Sequence, residues 1–351
     1  MERVVDMMDT IRALTGAHGP SGFESAAAEQ AAELLRPLVD QVRRDRLGNV
    51  IGVKYCARRG APKLLLDAHL DEVGLVVMGH EEGFLCFAPL GGVDARVLPD
   101  RELTVLTEPP LFGVVATKPP HVMEAGESDQ AIPLSELRID VGLSQEEAVR
   151  RIPVGTPVVF REECRALGED QIAGKALDDR SCFAVLLRAL ELLREAALDV
   201  DLYVLGACRE ELNSAGATVG TYGIHPQMAV AVDVTFGQSV DTPKEKGFPL
   251  GKGPAIGVGP NLSRWMTERL MEKAERLGIP YQIEVMSGNT GTDAWEIQVC
   301  PGGVATAMLS LPLKYMHTPL EVLHRDDVEQ SARLLAAFIE HLGEEGPVCS
   351  S

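Results

Sequence analysis

Short apolar runs recur along this chain, and stretches of helical spacing lie between them. Leu64-Leu65-Leu66, Asp201–Ala207, Met228–Val232 and Ala305–Leu311 each read as a buried strand, with a further strand at Tyr281–Val285. Residues 4–15 set Val4, Val5, Met8, Ile11 and Leu14 at helical spacing. A long helix from Asp178 puts Phe183, Leu186, Leu187, Leu190 and Leu193 on one side. Asn261–Leu277, with Asn261 as its expected cap, and Asp326–Leu342 read as helices too. Ser21-Gly22-Phe23-Glu24 matches a capping box opening a helix through Leu35, and Val42–Tyr55 reads as a hairpin turning at Leu47-Gly48-Asn49. Buried strands alternating with helices need a sheet covered on both faces. The expected fold is α/β, a three-layer α/β/α domain.

Residues 79–170 interrupt that pattern. Short β-like runs at Phe84–Phe87, Leu103–Leu106, Phe112–Ala116 and Pro157–Phe160 are broken by Gly91-Gly92, Pro109-Pro110, Pro119-Pro120 and Pro153. Helical spacing is confined to Ser144–Arg151, and Gly126–Gln130 reads as an exposed polar loop. The expected organisation is a catalytic domain split into residues 1–78 and 171–351, with a small β-barrel-like domain inserted at 79–170.

Charge and cysteine usage exclude several classes. The net charge is −19, from 33 Lys+Arg against 52 Asp+Glu in 351 residues, so there is no basic stripe for nucleic acid. An acidic envelope aids solubility and can draw in cationic peptides. Seven scattered cysteines without a Cys-x-x-Cys pair read as free thiols in a reducing compartment. The N-terminus lacks a secretion-signal profile, and no apolar run approaches the ~20 residues that span a bilayer. The expectation is a cytoplasmic protein without membrane contact.

Chemistry-bearing residues stand beside these runs. Asp67-Ala68-His69-Leu70-Asp71-Glu72-Val73-Gly74 is followed far downstream by Asp178-Asp179-Arg180, Glu210-Glu211, Asp233-Val234-Thr235 and His317-Thr318-Pro319. Taken singly, each has an ordinary reading: a solvated pair, a helix cap, a surface glutamate pair, a turn histidine. Asp233 resists this most, because an unpaired charge at a buried strand's mouth is costly. Ligands bind beyond the carboxyl ends of strands in open α/β sheets, where His69, Glu211, Asp233 and His317 are expected, while Asp178 begins a helix. Two imidazoles and several carboxylates suffice to hold two divalent cations, with zinc or cobalt the best fit and manganese possible on the same donors.

The ordered set His-x-Asp-Glu-Val-Gly, Gly-Lys-Ala-Leu-Asp-Asp-Arg, Glu-Glu, Asp-Val-Thr, Gly-Thr-Asp-Ala and His-Thr-Pro resembles the tetrahedral-assembly metallo-aminopeptidases, which include glutamyl and deblocking aminopeptidases. The match runs from Pro20 to the last helix. The resemblance implies that His69 and Asp233 bind one metal, that Glu211 and His317 bind the other, and that Asp178 bridges them. It implies Asp71 as acceptor of the second His69 N–H and Glu210 as the general base for a water shared by the metals. It further implies peptide substrates and a homo-oligomer, up to a twelve-subunit shell. Asp293 falls near the substrate pocket of relatives, Lys252 has no role, and His121 in the insert could reach a neighbouring subunit. Arg209 and Asn213-Ser214 depart from the family pattern beside the glutamate pair, so side-chain preference does not carry over.

Competing readings are a hydrolase of N-acyl amino acids or related amides, and a non-catalytic assembly or binding protein on the same fold. Glycoside hydrolysis has little support, since 5% aromatic residues with two Trp give no sugar-stacking platform.

Overall fold

The computed structural model describes residues 6–123, 131–240, 242–340 and 342, so the expected loop at Gly126–Gln130 lies outside the described residues. The chain opens with helices α1 (Met7–Gly16) and α2 (Ser25–Leu35). The Asp6 carboxylate caps α1 by accepting from the Met8 N–H. The expected capping box does not form. Glu24 Oε1 instead accepts from the backbone N–H of Gly22 and, across the fold, of Arg209. A tertiary partner has taken the carboxylate that local geometry would have used.

Strands β1 (Gln41–Arg44) and β2 (Val50–Lys54) form the antiparallel hairpin, and β3 (Lys63–His69) follows. Next come β4 (Gly74–Glu81), β5 (Phe84–Leu90), β6 (Glu102–Val105), β7 (Leu111–Ala116), β8 (Arg138–Asp140) and β9 (Pro157–Phe160). They close into a barrel in the order β4-β5-β8-β7-β6-β9. Helix α3 (Gln145–Arg151), capped by Ser144, lies between β8 and β9. Closure leaves no free edge, and Leu75, Leu85, Leu103, Val115, Ile139 and Val158 fill the interior.

The remaining elements are β10 (Arg165–Leu167), β11 (Gln171–Gly174), α4 (Leu177–Leu192), β12 (Asp201–Ala207), α5 (Glu210–Asn213), α6 (Ala215–Ile224), β13 (Met228–Phe236), β14 (Ala255–Val258), α7 (Arg264–Leu277), β15 (Gln282–Val285), α8 (Ala294–Ile297), β16 (Ala305–Lys314), β17 (Glu321–His324) and α9 (Arg325–Ile339). The large sheet has 11 strands along β1-β2-β12-β3-β13-β16-β17-β11-β10, with β14 and β15 branching from β16. Its centre, β12-β3-β13-β16, is parallel, which is why those strands read as unbroken apolar runs. Helices α1, α2, α4, α7 and α9 pack on one face, and α6 and α8 on the other. Among the described residues, no helix is long and apolar enough to cross a membrane.

Three expectations change in detail. Strand β13 runs on to Phe236, so Asp233 sits inside the strand opposite Ser310 and not at its mouth. Helix α7 starts after Ser263, and Asn261 spends its side-chain N–H on the Gly288 carbonyl. Asp178 and Asp179, joined by a cis peptide bond, have non-helical backbone angles. The regular turns of α4 therefore begin at Arg180, and Asp178 precedes the helix rather than opening it.

A buried ionic network fixes the loop between β3 and β4. Glu72 takes Lys175 Nζ at 2.6 Å on one oxygen and Arg180 Nη2 at 2.9 Å on the other, and all three side chains are almost fully enclosed. Arg180 also donates to the carbonyls of Leu70, Leu14 and Ala17. The Gly19 N–H donates to Glu72. Burial would raise the Glu72 carboxyl, but the two cations offset it and hold the group below its usual value. Each donor therefore has a neutralising or hydrogen-bonded partner. Replacing Arg180 by Ala leaves Glu72 short of charge in a dry site and is expected to cost about 3–5 kcal/mol. Urea unfolding measures this; a loss below about 1 kcal/mol would show that the network does not hold the loop.

Candidate metal centre

His69 ends β3, and its backbone N–H donates to Asp179 Oδ2 at 3.1 Å. Its Nε2 faces Asp178 Oδ1 at 3.1 Å, while His317 Nε2 faces the other oxygen, Asp178 Oδ2, at 3.2 Å. One carboxylate thus presents one oxygen to each imidazole. His317 Nε2 also stands 3.3 Å from Glu211 Oε2. Two donors ~2.1 Å from a tetrahedral cation stand about 3.4 Å apart, so these separations fit donors sharing a cation.

The donors fall into two overlapping groups. His69, Asp178 and Glu211 bring ligand atoms within 4.8 Å of one another, and so do His69, Asp179 and Asp233. Asp233 thus joins His69 from β13 together with Asp179, a carboxylate that the sequence reading had passed over as half of an Asp-Asp pair. Glu210 stands slightly back, its Oε2 3.9 Å from His69 Nε2. The two glutamates open the short helix α5, not a strand end as expected, so successive residues point in different directions around a helical turn.

Supporting groups hold this arrangement. Asp71 has its carboxylate 3.4 Å from His69 Nδ1, which also lies 3.2 Å from the Asp71 carbonyl. The same carboxylate accepts the backbone N–H of Glu210 at 3.0 Å and of Glu211 at 3.1 Å. It therefore ties the histidine end of β3 to the glutamate pair, a second role that spacing alone did not suggest. Glu321 does the parallel job elsewhere: it accepts the N–H of Asp178 at 3.1 Å and of His317 at 3.0 Å. Its position four residues after His317 carried no motif signal. The barrel comes close too. A Cβ on Gly92 would stand 2.7 Å from His317 Nδ1, and one on Gly91 3.3 Å from Glu211 Oε2, so only glycine lets that loop pass.

Asp67 lies inside β3 and Asp293 in the turn before α8, 1% and 2% exposed, so neither is open to solvent. His121 is exposed in a short turn of the barrel region, and Lys252 is exposed.

Charge makes this assembly costly without a cation. Burial pushes the Glu210 carboxyl up to about 10, and neighbouring Asp233, Asp293 and Glu211 add to it. Burial raises Asp233 well above the usual carboxylate range and raises Glu211. Burial works against charge on His317, yet its bonds to Asp178 and Glu211 lift it to about 11. Burial and crowding thus favour the protonated forms of Glu210, Glu211 and Asp233, while the imidazoles keep Asp178 low.

These residues could hold a metal ion, and comparison with known proteins gives the family. The family profile described as M42 glutamyl aminopeptidase matches residues 48–334. This chain belongs to the M42 glutamyl aminopeptidase family. It is a metal-dependent aminopeptidase, a hydrolase of peptides. The chain is 35% identical over 334 residues to a lysyl aminopeptidase of Pyrococcus furiosus, covering 92% of this chain and 94% of that protein. An aminopeptidase structure from the archaeon Desulfurococcus kamchatkensis superposes with a TM-score of 0.89 at 37% identity, covering 98% and 99% of the two chains. The TET1 peptidase of Pyrococcus horikoshii, described as assembling into a tetrahedron or a large octahedral shell, superposes with a TM-score of 0.83 at 30% identity, covering 95% and 99%.

Glu211, Asp233 and both imidazoles are raised, so a divalent cation binding there competes with protons. The raised carboxyls and imidazoles lose protons as pH rises, so apparent affinity is expected to climb at least tenfold per unit between pH 6 and 8. Calorimetry in two buffers of different ionisation enthalpy measures the protons released; a pH-independent affinity would contradict the coupling.

Proposed function

We propose that this M42 enzyme works with two divalent cations, zinc or cobalt, and removes N-terminal residues from peptides. His69 and Asp233 would hold one cation, Glu211 and His317 the other, with Asp178 bridging through its two oxygens. The observation that carries this reading is the divided carboxylate of Asp178, with one oxygen toward each imidazole. A bound cation pair supplies Lewis-acid polarisation of the scissile carbonyl and acidifies the attacking water.

The chain's own residues do the rest. Glu210 is the general base: partly buried, beside the donors, and not needed to complete them. Two nearby dications would draw its proton affinity down from the high value of the cation-free site toward the working range of a base. It takes a proton from the attacking water and delivers it to the leaving amine. Asp71 fixes both the His69 ring and the backbone that carries Glu210, so base and ligand keep their relative position. The carboxylates around the centre also provide a counter-charge for the substrate's free α-amino group, which favours peptides with an unblocked terminus.

Cleavage of an aminoacyl-p-nitroanilide panel tests this. Activity should vanish on chelation and return with zinc or cobalt. Glu210→Gln should lower kcat by roughly 10²–10⁴ while still binding two cations per chain by elemental analysis. Cleavage of N-acylated substrates alone, or one cation at full activity, would overturn the reading.

The assembly is proposed as a homo-oligomer up to a dodecamer, in line with the shell described for the TET1 peptidase. Multi-angle light scattering of the purified chain should give a mass several times 37.8 kDa; a strict monomer would refute it. A cytoplasmic location is proposed as well, which cell fractionation tests.

A further inference from the structure

Strand β15 lies outside β14, and one of its side chains turns back over the sheet. Glu284 stands opposite Gly257 in the β14 register. Its Oε1 accepts the Thr235 hydroxyl at 2.6 Å, and its Oε2 accepts the Ser310 hydroxyl at 2.7 Å. Ser310 is the β16 partner of Asp233, and Thr235 follows Asp233 by two residues in β13. Both are same-face neighbours of that proposed ligand, one strand spacing (~4.8 Å) and one two-residue step (~6.7 Å) away. The Glu284 carboxylate therefore lies beside the metal centre, within about the length of a long side chain.

Two other buried carboxylates have compensating partners. Glu72 has Lys175 and Arg180, and Asp327 takes the N–H groups of Gly251 and Gly253. Asp67 and Asp293 are sealed from solvent. Glu284 differs on both counts. It is partly exposed, and among the described residues no cationic side chain acts on it: burial raises its carboxyl, and only the two hydroxyls lower it. A carboxylate has about four acceptor positions, and the hydroxyls use two. A half-buried carboxylate without a counter-ion is costly.

We propose that Glu284 is a specificity-determining residue that receives the cationic head of an N-terminal lysine or arginine while the α-amino group and scissile carbonyl sit at the metal centre. Thr235 and Ser310 hold the carboxylate in place for that contact. The inference rests on the aminopeptidase reading above.

Binding decides it independently of turnover. The full-length, cation-loaded protein is titrated with L-lysine and L-norleucine, which share a four-carbon stem and differ in the ammonium head. Lysine should bind roughly 10–100-fold tighter. Glu284→Gln, which preserves size and reverses one of the two hydroxyl bonds, should collapse that ratio and lower the kcat/KM ratio of lysyl- to leucyl-p-nitroanilide by a similar factor. Equal affinity for the two amino acids in the wild type, or ratios unmoved in the variant, would overturn the inference and leave the aminopeptidase reading standing. Failure of the wild type to cleave any aminoacyl substrate would strike that reading instead, and the amino-acid titration would still decide Glu284.

Discussion

The structure turns on one carboxylate. Asp178 gives one oxygen to His69, at the end of β3, and the other to His317, in the turn between β16 and β17. Everything around it serves to make that division possible. Asp178 has left helical geometry, so its carboxylate can point across the sheet ends instead of along α4. Its backbone N–H is held by Glu321, which also holds the backbone of His317. The backbones of Asp178 and His317 are thus fixed by the same side chain, and their separation cannot drift independently.

Crowding carboxylates in a dry place requires positive charge, and the fold supplies it unevenly. Around Glu72, Lys175 and Arg180 provide it permanently, which secures the β3–β4 loop. Around Asp178, Glu211 and Asp233 the charged neighbours are the imidazoles of His69 and His317; burial raises the carboxyls of Glu211 and Asp233, while the two imidazoles hold Asp178 low. The contrast separates a structural network from a site built to receive a cation. The barrel adds a wall: Gly91 and Gly92 let its loop pass against Glu211 and His317 without displacing either.

Much of this was legible in the chain. The central parallel strands showed themselves as apolar runs because both of their faces are covered. The barrel showed itself as short β-like runs broken by Gly and Pro. His69, Asp178, Glu211, Asp233 and His317 stood out because each is a polar group beside such a run. Less was legible where the partner is remote. Ser21 looked like a cap, but Glu24 bonds to Arg209 from the far half of the chain. Asn261 looked like a cap, but it bonds to Gly288. Asp179 and Glu321 act through backbone N–H groups, and no residue pattern marks an acceptor for them.

Sequence by itself determined the layers, the barrel-like interruption and the donor types, because these follow from periodicity and from the cost of burying charge. The tertiary structure decided which donors meet. It set Asp233 inside its strand beside Ser310, put the glutamate pair on a helical turn tied to Asp71, and swung Glu284 over Gly257 toward Thr235. The reason is physical: these contacts depend on register and backbone direction between segments far apart in the chain, and neither quantity is encoded locally.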